Sequence, residues 1–148
     1  MEIWDEIYKK VSNAASFTAK ETGKLTELAK ANNVEITAEQ IINRYMSNPI
    51  TSAIVCGGLE PFDSPFALPE LIEEFRKYTS DDIVIYTGYR EEELLYGFAS
   101  LREAYDKIKQ FKNIIIKFGR FVPNQQPHYD EVLGVKLISD NQYAERIS

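Results

Sequence analysis

Residues 54–63, Ile-Val-Cys-Gly-Gly-Leu-Glu-Pro-Phe-Asp, decide the fold of this chain. A short β-branched apolar run, which is typical of a buried strand, ends in two glycines, an acid and a proline. Glycines at such a point let the backbone turn sharply and approach a small ligand closely. We therefore predict a buried strand that passes into a loop, and this loop is the first candidate binding element.

The same order of strand and glycine-bearing loop occurs twice more along the chain. The predicted strands span residues 50–56, 82–87 and 113–117, and the predicted helices between them span 69–78 and 91–111, the second broken at Gly97. Nearly uninterrupted apolar strands that alternate with helices indicate an α/β fold with a parallel sheet, covered by helices on at least one face. Ligands bind such sheets at the carboxyl ends of the strands, so we expect three loops to lie side by side, at residues 57–63, 88–90 and 118–121.

The chain outside these units divides into an N-terminal segment and a tail. Residues 1–33 are predicted to form two helices, whose apolar stripe either packs on the protein body or docks a partner. Residues 37–40, Thr-Ala-Glu-Gln, form a predicted capping box that opens a helix ending at Asn48-Pro49. The tail is loop-rich, with one further predicted strand at 134–138. We thus expect a helical segment over 1–33 and an α/β domain over 34–148.

Composition narrows the classes of function. With 148 residues, 44% hydrophobic residues and a net charge of −6, the chain fits one acidic globular domain, and nucleic-acid binding is disfavoured. One cysteine and one histidine build neither an internal disulfide nor an ordinary zinc site, and we expect a reducing, cytoplasmic location. No apolar run is long enough for a membrane span.

The loop residues allow functional and structural interpretations. Glu60 can accept hydrogen bonds from an amine or a ribose hydroxyl, or it can be the water-facing acid of a tight turn. Thr87-Gly88-Tyr89 forms a similar strand end. Residues 91–93, Glu-Glu-Glu, are expected to be a solvated helix start rather than a metal site, because acids suit the helix N-terminus and successive positions point apart.

Three further residues carry reactive side chains. Arg120 can pair with a bound carboxylate or phosphate, or it can bridge to Asp63 or Glu60 as part of the structure. His128, in a proline-flanked loop, is expected to be a surface histidine rather than a general base. Cys56 is expected to be a buried strand residue rather than a nucleophile, because its neighbours are apolar and include no base.

Four motifs in one order resemble a known family. They are CGGLEPF at 56–62, IVIYTGYREEEL at 83–94, IIIKFGRF at 114–121 and SDNQ at 139–142. This set is similar to the small radical-SAM activating enzymes of anaerobic (class III) ribonucleotide reductase, over about residues 34–148. The resemblance implies a partial (β/α) barrel, open along one side.

The resemblance also implies a binding site for S-adenosylmethionine. By that likeness Gly57, Gly58 and Glu60 line the site, Thr87, Gly88 and Tyr89 lie near it, and Asn141 and Gln142 close its C-terminal side. This sequence departs from the family pattern at four positions: an extra Leu59 within the glycine–glutamate segment, Phe118 in place of an acid, and Ile138 and Tyr143 in place of a glycine and an arginine.

The cluster ligands of the family are missing from this sequence. The family holds a [4Fe–4S] cluster on Cys-x3-Cys-x2-Cys, whereas residues 15–19 here read Ala-Ser-Phe-Thr-Ala, and the chain has a single cysteine. We therefore expect no iron–sulfur cluster and an inactive relative that acts by binding, with a residual S-adenosylmethionine-type pocket and a protein partner such as a ribonucleotide reductase. One alternative is an interaction module or inhibitor that uses the fold as a scaffold. Another is an enzyme whose cluster cysteines come from a second chain.

Overall fold

The computed structural model describes residues 35–148, which form a mixed α/β fold around a mostly parallel sheet of four strands. The two helices predicted over residues 1–33, the boundary after residue 33 and the alanines at 15 and 19 lie outside the described residues. The described helices are α1 (Ala38–Met46), α2 (Ala67–Arg76), α3 (Glu91–Tyr96) and α4 (Ala99–Ile108), with a short 3-10 helix at Pro61–Asp63. The strands are β1 (Ala53–Cys56), β2 (Asp82–Tyr86), β3 (Ile114–Phe118), β4 (His128–Asp130), β5 (Val135–Leu137) and β6 (Tyr143–Arg146).

The sheet has the strand order β1-β2-β3-β6. Strands β1, β2 and β3 are parallel, with Ile54 opposite Ile83 and Val84 opposite Ile115, whereas β6 runs antiparallel to β3. Strands β4 and β5 form a separate antiparallel pair. The prediction from the sequence that these three apolar strands run parallel is therefore confirmed.

The tail differs from the prediction. The expected strand at 134–138 is present as β5, but β4 and β6 were not predicted, and His128 lies in β4 rather than in a loop. Strand β6 escapes a pattern search because only one of its residues, Ala144, is buried. Its pairing with β3 decides its conformation, which is a tertiary effect.

One face of the sheet carries the main core and all four described helices. Buried side chains from each of these helices pack against the inward side chains of the parallel strands, including Ile54, Ile85 and Ile116. Burying one such side chain stabilises a fold by about 1.5–3 kcal/mol, so this layer dominates the folding energy. The opposite face has a smaller cluster of Val84, Ile115 and Ala144.

The helix boundaries follow from local chemistry. Thr37 and Gln40 form the predicted capping box, with hydrogen bonds from Gln40 N to Thr37 Oγ1 (3.2 Å) and from Thr37 N to Gln40 Oε1 (2.9 Å). The predicted break at Gly97 is also confirmed, because it separates α3 from α4. A Cβ at this position would lie 2.2 Å from the carbonyl oxygen of Glu93, so glycine is required there. Among the described residues, no helix is both long enough and apolar enough to cross a membrane.

Candidate functional site

Glu60 joins the first two loops at the carboxyl edge of the sheet. Its Oε1 accepts hydrogen bonds from Thr87 Oγ1 (2.7 Å) and Phe62 N (3.1 Å), and its Oε2 accepts one from Gly88 N (2.8 Å). The interpretation of Glu60 as a water-facing turn residue is therefore wrong. A carboxylate has about four acceptor positions, and three of them are occupied by the protein's own chain.

Burial dominates the electrostatics of Glu60. Desolvation raises the pKa of its carboxyl group, while the hydrogen bonds from Thr87, Gly88 and Phe62 act in the opposite direction and nearby Asp63 reinforces the increase. The three hydrogen bonds offset part of this desolvation cost, and they use acceptor positions that a ligand would otherwise occupy. The capacity of Glu60 to hold a ligand amine is thus reduced, although one acceptor position remains.

The two glycines before Glu60 shape the first loop. Gly57 and Gly58 are half-buried and lie between β1 and the 3-10 helix. Gly58 has a φ of 109°, a backbone conformation that side chains with a Cβ rarely adopt. The sharp turn predicted at this pair is therefore present, and it delivers Glu60 to the end of the neighbouring strand.

The second loop is held from within. Buried Thr87 donates to Glu60, and its Oγ1 also accepts a hydrogen bond from Tyr89 N (3.1 Å). A Cβ at Gly88 would lie 3.2 Å from Arg120 Cγ and 3.4 Å from Glu60 Oε2. Gly88 therefore permits close approach of two side chains of the protein itself, and its N–H group donates to Glu60.

Tyr89 connects the second loop to both of its neighbours. Its hydroxyl donates to Asp63 Oδ1 (3.2 Å), and its carbonyl oxygen accepts from Gly119 N (3.1 Å). Burial raises the pKa of the Tyr89 hydroxyl, and the adjacent Asp63 carboxylate adds to this increase. The three predicted loops thus lie side by side, as their positions after parallel strands indicated.

Arg120 pairs with neither Asp63 nor Glu60. Its Nη1 donates to Glu93 Oε2 (2.9 Å) and Oε1 (3.2 Å), and its guanidinium lies 5.4 Å from the centre of the Tyr89 ring. This ion pair is the main reason why the pKa of Glu93 is lowered. The prediction of a fully solvated acidic helix start is therefore wrong for Glu93, which also accepts a hydrogen bond from Arg90 N.

The other two acids of this run differ from each other. Glu91 accepts a hydrogen bond from Tyr105 OH (3.2 Å), whereas Glu92 is exposed to solvent as predicted. Within residues 35–148, no group of three or more histidine, cysteine, aspartate or glutamate side chains is placed to hold a metal ion.

The C-terminal pair of predicted residues closes the third loop. Asn141 Nδ2 donates to the carbonyl oxygen of Arg120 (2.7 Å), and Gln142 Nε2 donates to that of Gly119 (3.3 Å). Gly119 has a φ of 103°, and a Cβ there would lie 3.0 Å from the Asn141 carbonyl oxygen. Asn141 and Gln142 are therefore part of the same edge as the three loops, and their role in closing a ligand site stays a prediction.

Cys56 and His128 lie apart from these contacts. Cys56 is partly buried and packs on the main core, and burial raises the pKa of its thiol to about 12, so the reactive thiolate is strongly disfavoured. His128 is partly exposed in β4. Neither observation gives these residues the setting of a catalytic nucleophile or base.

Three buried polar residues, among them Asp130 of β4, were missed by the sequence reasoning. Lys117 in β3 is only 5% exposed, and Ser139 is fully buried. Desolvation lowers the pKa of the Lys117 ammonium group to about 8, although the Glu60 carboxylate acts in the opposite direction. The available signal was a lysine inside an otherwise apolar parallel strand, where charged residues are rare unless paired.

Comparisons of the chain with protein-family models, with curated proteins and with solved structures find no match in any of the three. The function of this edge therefore has to be inferred from its geometry together with the motifs in the sequence.

Proposed function

We propose that this chain is a catalytically inactive relative of the radical-SAM activating enzymes, and that it acts by binding. In this proposal, the edge formed by the three loops keeps a residual pocket for S-adenosylmethionine or a similar ligand. The protein would act in the cytoplasm on a protein partner, for which a class III ribonucleotide reductase is the first candidate.

One observation carries this proposal. The quoted motifs are separated by many residues in the sequence, yet they lie along one edge. Glu60 is hydrogen-bonded to Thr87 and Gly88, and the third loop, at Gly119 and Arg120, links Tyr89 to the Asn141-Gln142 pair. Carboxyl edges of parallel strands are where α/β sheets bind small ligands.

The layer arrangement supports the barrel-like part of the proposal. All four described helices pack on one face of the sheet, and the buried cluster on the opposite face is small. A doubly wound sheet would carry helices on both faces, whereas helices on one face are the arrangement found around a (β/α) barrel. We therefore propose a partial barrel, in which the inner face is the one on which none of the helices within residues 35–148 packs.

The thiol content supports binding without electron transfer. A [4Fe–4S] cluster of this kind needs three thiolates, and the chain contributes one cysteine, whose thiol is held protonated in β1. The residues present therefore do not fit that cluster.

Calorimetric titration of the purified 148-residue chain with S-adenosylmethionine tests the proposal. We expect a heat of binding that saturates as the ligand concentration is raised to the millimolar range. Glu60→Gln keeps the size of the side chain but offers only one acceptor oxygen, so this variant should bind at least several-fold more weakly. Glu103→Gln, a change at an exposed acid of α4, is the matched control and should bind as the wild type does. Absence of heat in the wild type at millimolar ligand would overturn the cofactor part of the proposal.

The partner part needs a separate measurement. Surface plasmon resonance against a purified class III ribonucleotide reductase should give saturable binding that persists without ligand. No binding at tens of micromolar reductase would contradict this choice of partner.

A second candidate function is favoured by exposed aromatic side chains. Phe66, Tyr96 and Phe98 are each about 80% exposed, at 79%, 81% and 81%. Exposed apolar residues of this size are frequent at protein interfaces, so the fold could serve as a scaffold for an interaction module or inhibitor.

The replacement of Phe66 and Phe98 by serine separates the two functions. Loss of partner binding with retained ligand binding would favour the interaction module.

A further inference from the structure

The face of the sheet opposite the main core is buried, although none of the helices within residues 35–148 packs on it. We call the face that carries Val84, Ile115 and Ala144 the second face. These three side chains are 7%, 4% and 8% exposed, and they belong to the neighbouring strands β2, β3 and β6. Apolar strands that are buried on both faces are covered by a further layer of the protein on each face.

The described residues supply only a small part of the layer over the second face. Val55 and Tyr86 pack on its cluster, but they belong to strands of the sheet itself. Within residues 35–148, Leu133 in the turn between β4 and β5 is the partly buried apolar side chain that packs on this cluster from outside the sheet. Three strands span about 10 Å, which is more than one leucine side chain covers.

Residues 1–34 precede the described part of the chain and contain an apolar stripe of the size that the second face requires. The stripe lies on one side of the first predicted helix and consists of Ile3, Trp4, Ile7, Tyr8 and Val11. A helix over residues 3–11 is about 13 Å long. Four strands that lie about 4.8 Å apart span about 14 Å, so one such helix matches the width of the sheet.

The connection to the described part of the chain is long enough for this placement. Ile36 packs on the main core, and α1 leads into β1, which is an edge strand of the sheet. The chain before α1 can therefore pass around this edge to the second face. Residues 12–34 span about 34 Å even when they are fully helical, which is about the diameter of a small domain.

We propose that the apolar stripe at residues 3–11 packs on the second face of the same chain. Trp4 and Ile7 then lie against Val84 and Ile115, while the acids and lysines at positions 5, 6, 9 and 10 face water. In the proposed partial barrel the second face is the inner one, so the N-terminal segment fills the inside, which side chains fill in a closed barrel. Only this last point rests on the proposed function.

Other occupants fit the second face less well. A second copy or a separate partner protein would leave this face exposed in the single chain, whereas its three central side chains are at most 8% exposed there. The later stripe of Leu25, Leu28 and Ala29 lies within the same N-terminal segment, but it has no aromatic or β-branched side chain and is smaller. The stripe at residues 3–11 is therefore the occupant that we choose.

Fluorescence of Trp4, the single tryptophan of the chain, tests the burial of the stripe. Acrylamide should quench Trp4 at least fivefold less efficiently in the folded 148-residue chain than in urea. Ile7→Asp places a charge in the stripe and should bring the quenching to within twofold of the unfolded value, with the circular dichroism of the α/β domain retained. Lys9→Asp, on the opposite side of the predicted helix, is the matched control and should leave the quenching unchanged. Equal quenching in the folded and unfolded wild type would overturn the proposal.

Photo-cross-linking identifies the face that the stripe contacts. The residue p-benzoylphenylalanine, placed at position 8, should form cross-links within one chain to Val55, Val84 or Leu133, which mass spectrometry of proteolytic fragments locates. The same residue at position 9 is the matched control and should give no such cross-links. Cross-links from position 8 to Phe66 or Phe98 beside α2 and α4, cross-links between two chains, or none to the second face would each contradict the proposal.

Discussion

At the scale of single residues, Glu60 shows how a motif residue acts within its own fold. The motif suggested a side chain directed at a ligand, but most of its acceptor capacity is used by Thr87, Gly88 and Phe62. A carboxylate that joins two loops fixes their relative position, and a loop edge fixed in this way can recognise a ligand without large rearrangement. Glu60 is therefore first a structural residue and only second a binding residue.

Replacement of Glu60 by alanine should destabilise the protein. Thr87 Oγ1 and Gly88 N would lose their acceptor in a largely buried setting, and each such loss costs about 1–3 kcal/mol. We expect the free energy of unfolding to fall by about 2–4 kcal/mol in urea denaturation. Glu103→Ala at an exposed position should change it by less than about 0.5 kcal/mol. Equal stability of Glu60→Ala and wild type would contradict the role of Glu60 as the link between the loops.

Lys117 should give the protein a pH-dependent stability. Its pKa is lowered from 10.5 to about 8 in the fold, so between these values the unfolded chain binds more protons than the folded one. The free energy of unfolding contributed by Lys117 therefore rises as the pH increases from 8 to 10.5, by up to about 3 kcal/mol.

The difference in stability between wild type and Lys117→Met isolates this effect. Cys56 and several tyrosines have raised pKa values, so they titrate in the same range with the opposite sign. They are common to both proteins and cancel in the difference. Denaturation curves at pH 7.5 and 10 should show the difference changing in favour of the wild type. A difference that is independent of pH would show that the Lys117 ammonium is not desolvated.

At the scale of elements, contacts between residues close in the sequence fix the start of α1 and the boundary between α3 and α4. Helix α1 begins at a reciprocal pair of side chain to backbone hydrogen bonds between Thr37 and Gln40. Helices α3 and α4 are separated at Gly97, where a Cβ would collide with the carbonyl oxygen of Glu93. Both features were predicted from the sequence because they involve residues three or four positions apart.

Loss of the N-cap of α1 should lower the free energy of unfolding moderately. Thr37→Ala removes the side chain that accepts from Gln40 N, and the loss of such a cap costs about 1 kcal/mol. We expect this decrease in the free energy of unfolding by chemical denaturation, with an unchanged fold by circular dichroism. Ser52→Ala, at an exposed serine outside the helices, is the control and should be neutral. A Thr37→Ala protein as stable as the control would show that packing alone fixes the start of α1.

At the scale of the whole molecule, Arg76 connects a helix to the amino edge of the sheet. The Arg76 side chain at the end of α2 donates to the carbonyl oxygens of Thr79, Asp81, Lys112 and Asn113. These oxygens precede β2 and β3, so the planar guanidinium group ties a helix to the entry points of two strands. The edge opposite the candidate site is thereby fixed independently of the loops that carry the site.

Arg76→Lys should test this arrangement. A lysine ammonium cannot reproduce the fork of donors, so two or more of the four carbonyl groups lose their partner. We expect the free energy of unfolding to fall by about 2–3 kcal/mol, with little change in ligand binding, because the site lies at the other edge. Arg102→Lys, at an exposed position of α4, is the matched control and should leave the free energy of unfolding unchanged. A neutral Arg76→Lys variant would refute the role assigned to this residue.

The sequence by itself determined the parallel strands, the helices between them, the capping box at Thr37 and the interruption at Gly97. These features depend on periodicity, on β-branched runs and on contacts between residues close in the chain, which a linear pattern encodes. It also placed three loops at one edge, because parallel strands that alternate with helices bring their carboxyl ends together.

Only the tertiary structure decided the partners across that edge and the path of the tail. The hydrogen bonds of Glu60 with Thr87 and Gly88, the pairing of Arg120 with Glu93 and the addition of β6 to β3 join residues that are 25 or more positions apart. The burial of Lys117 and Ser139 likewise depends on what covers them and not on their neighbours in sequence. Contacts of this kind have no local signal, since their energy comes from desolvation and geometry that exist only after the chain has folded.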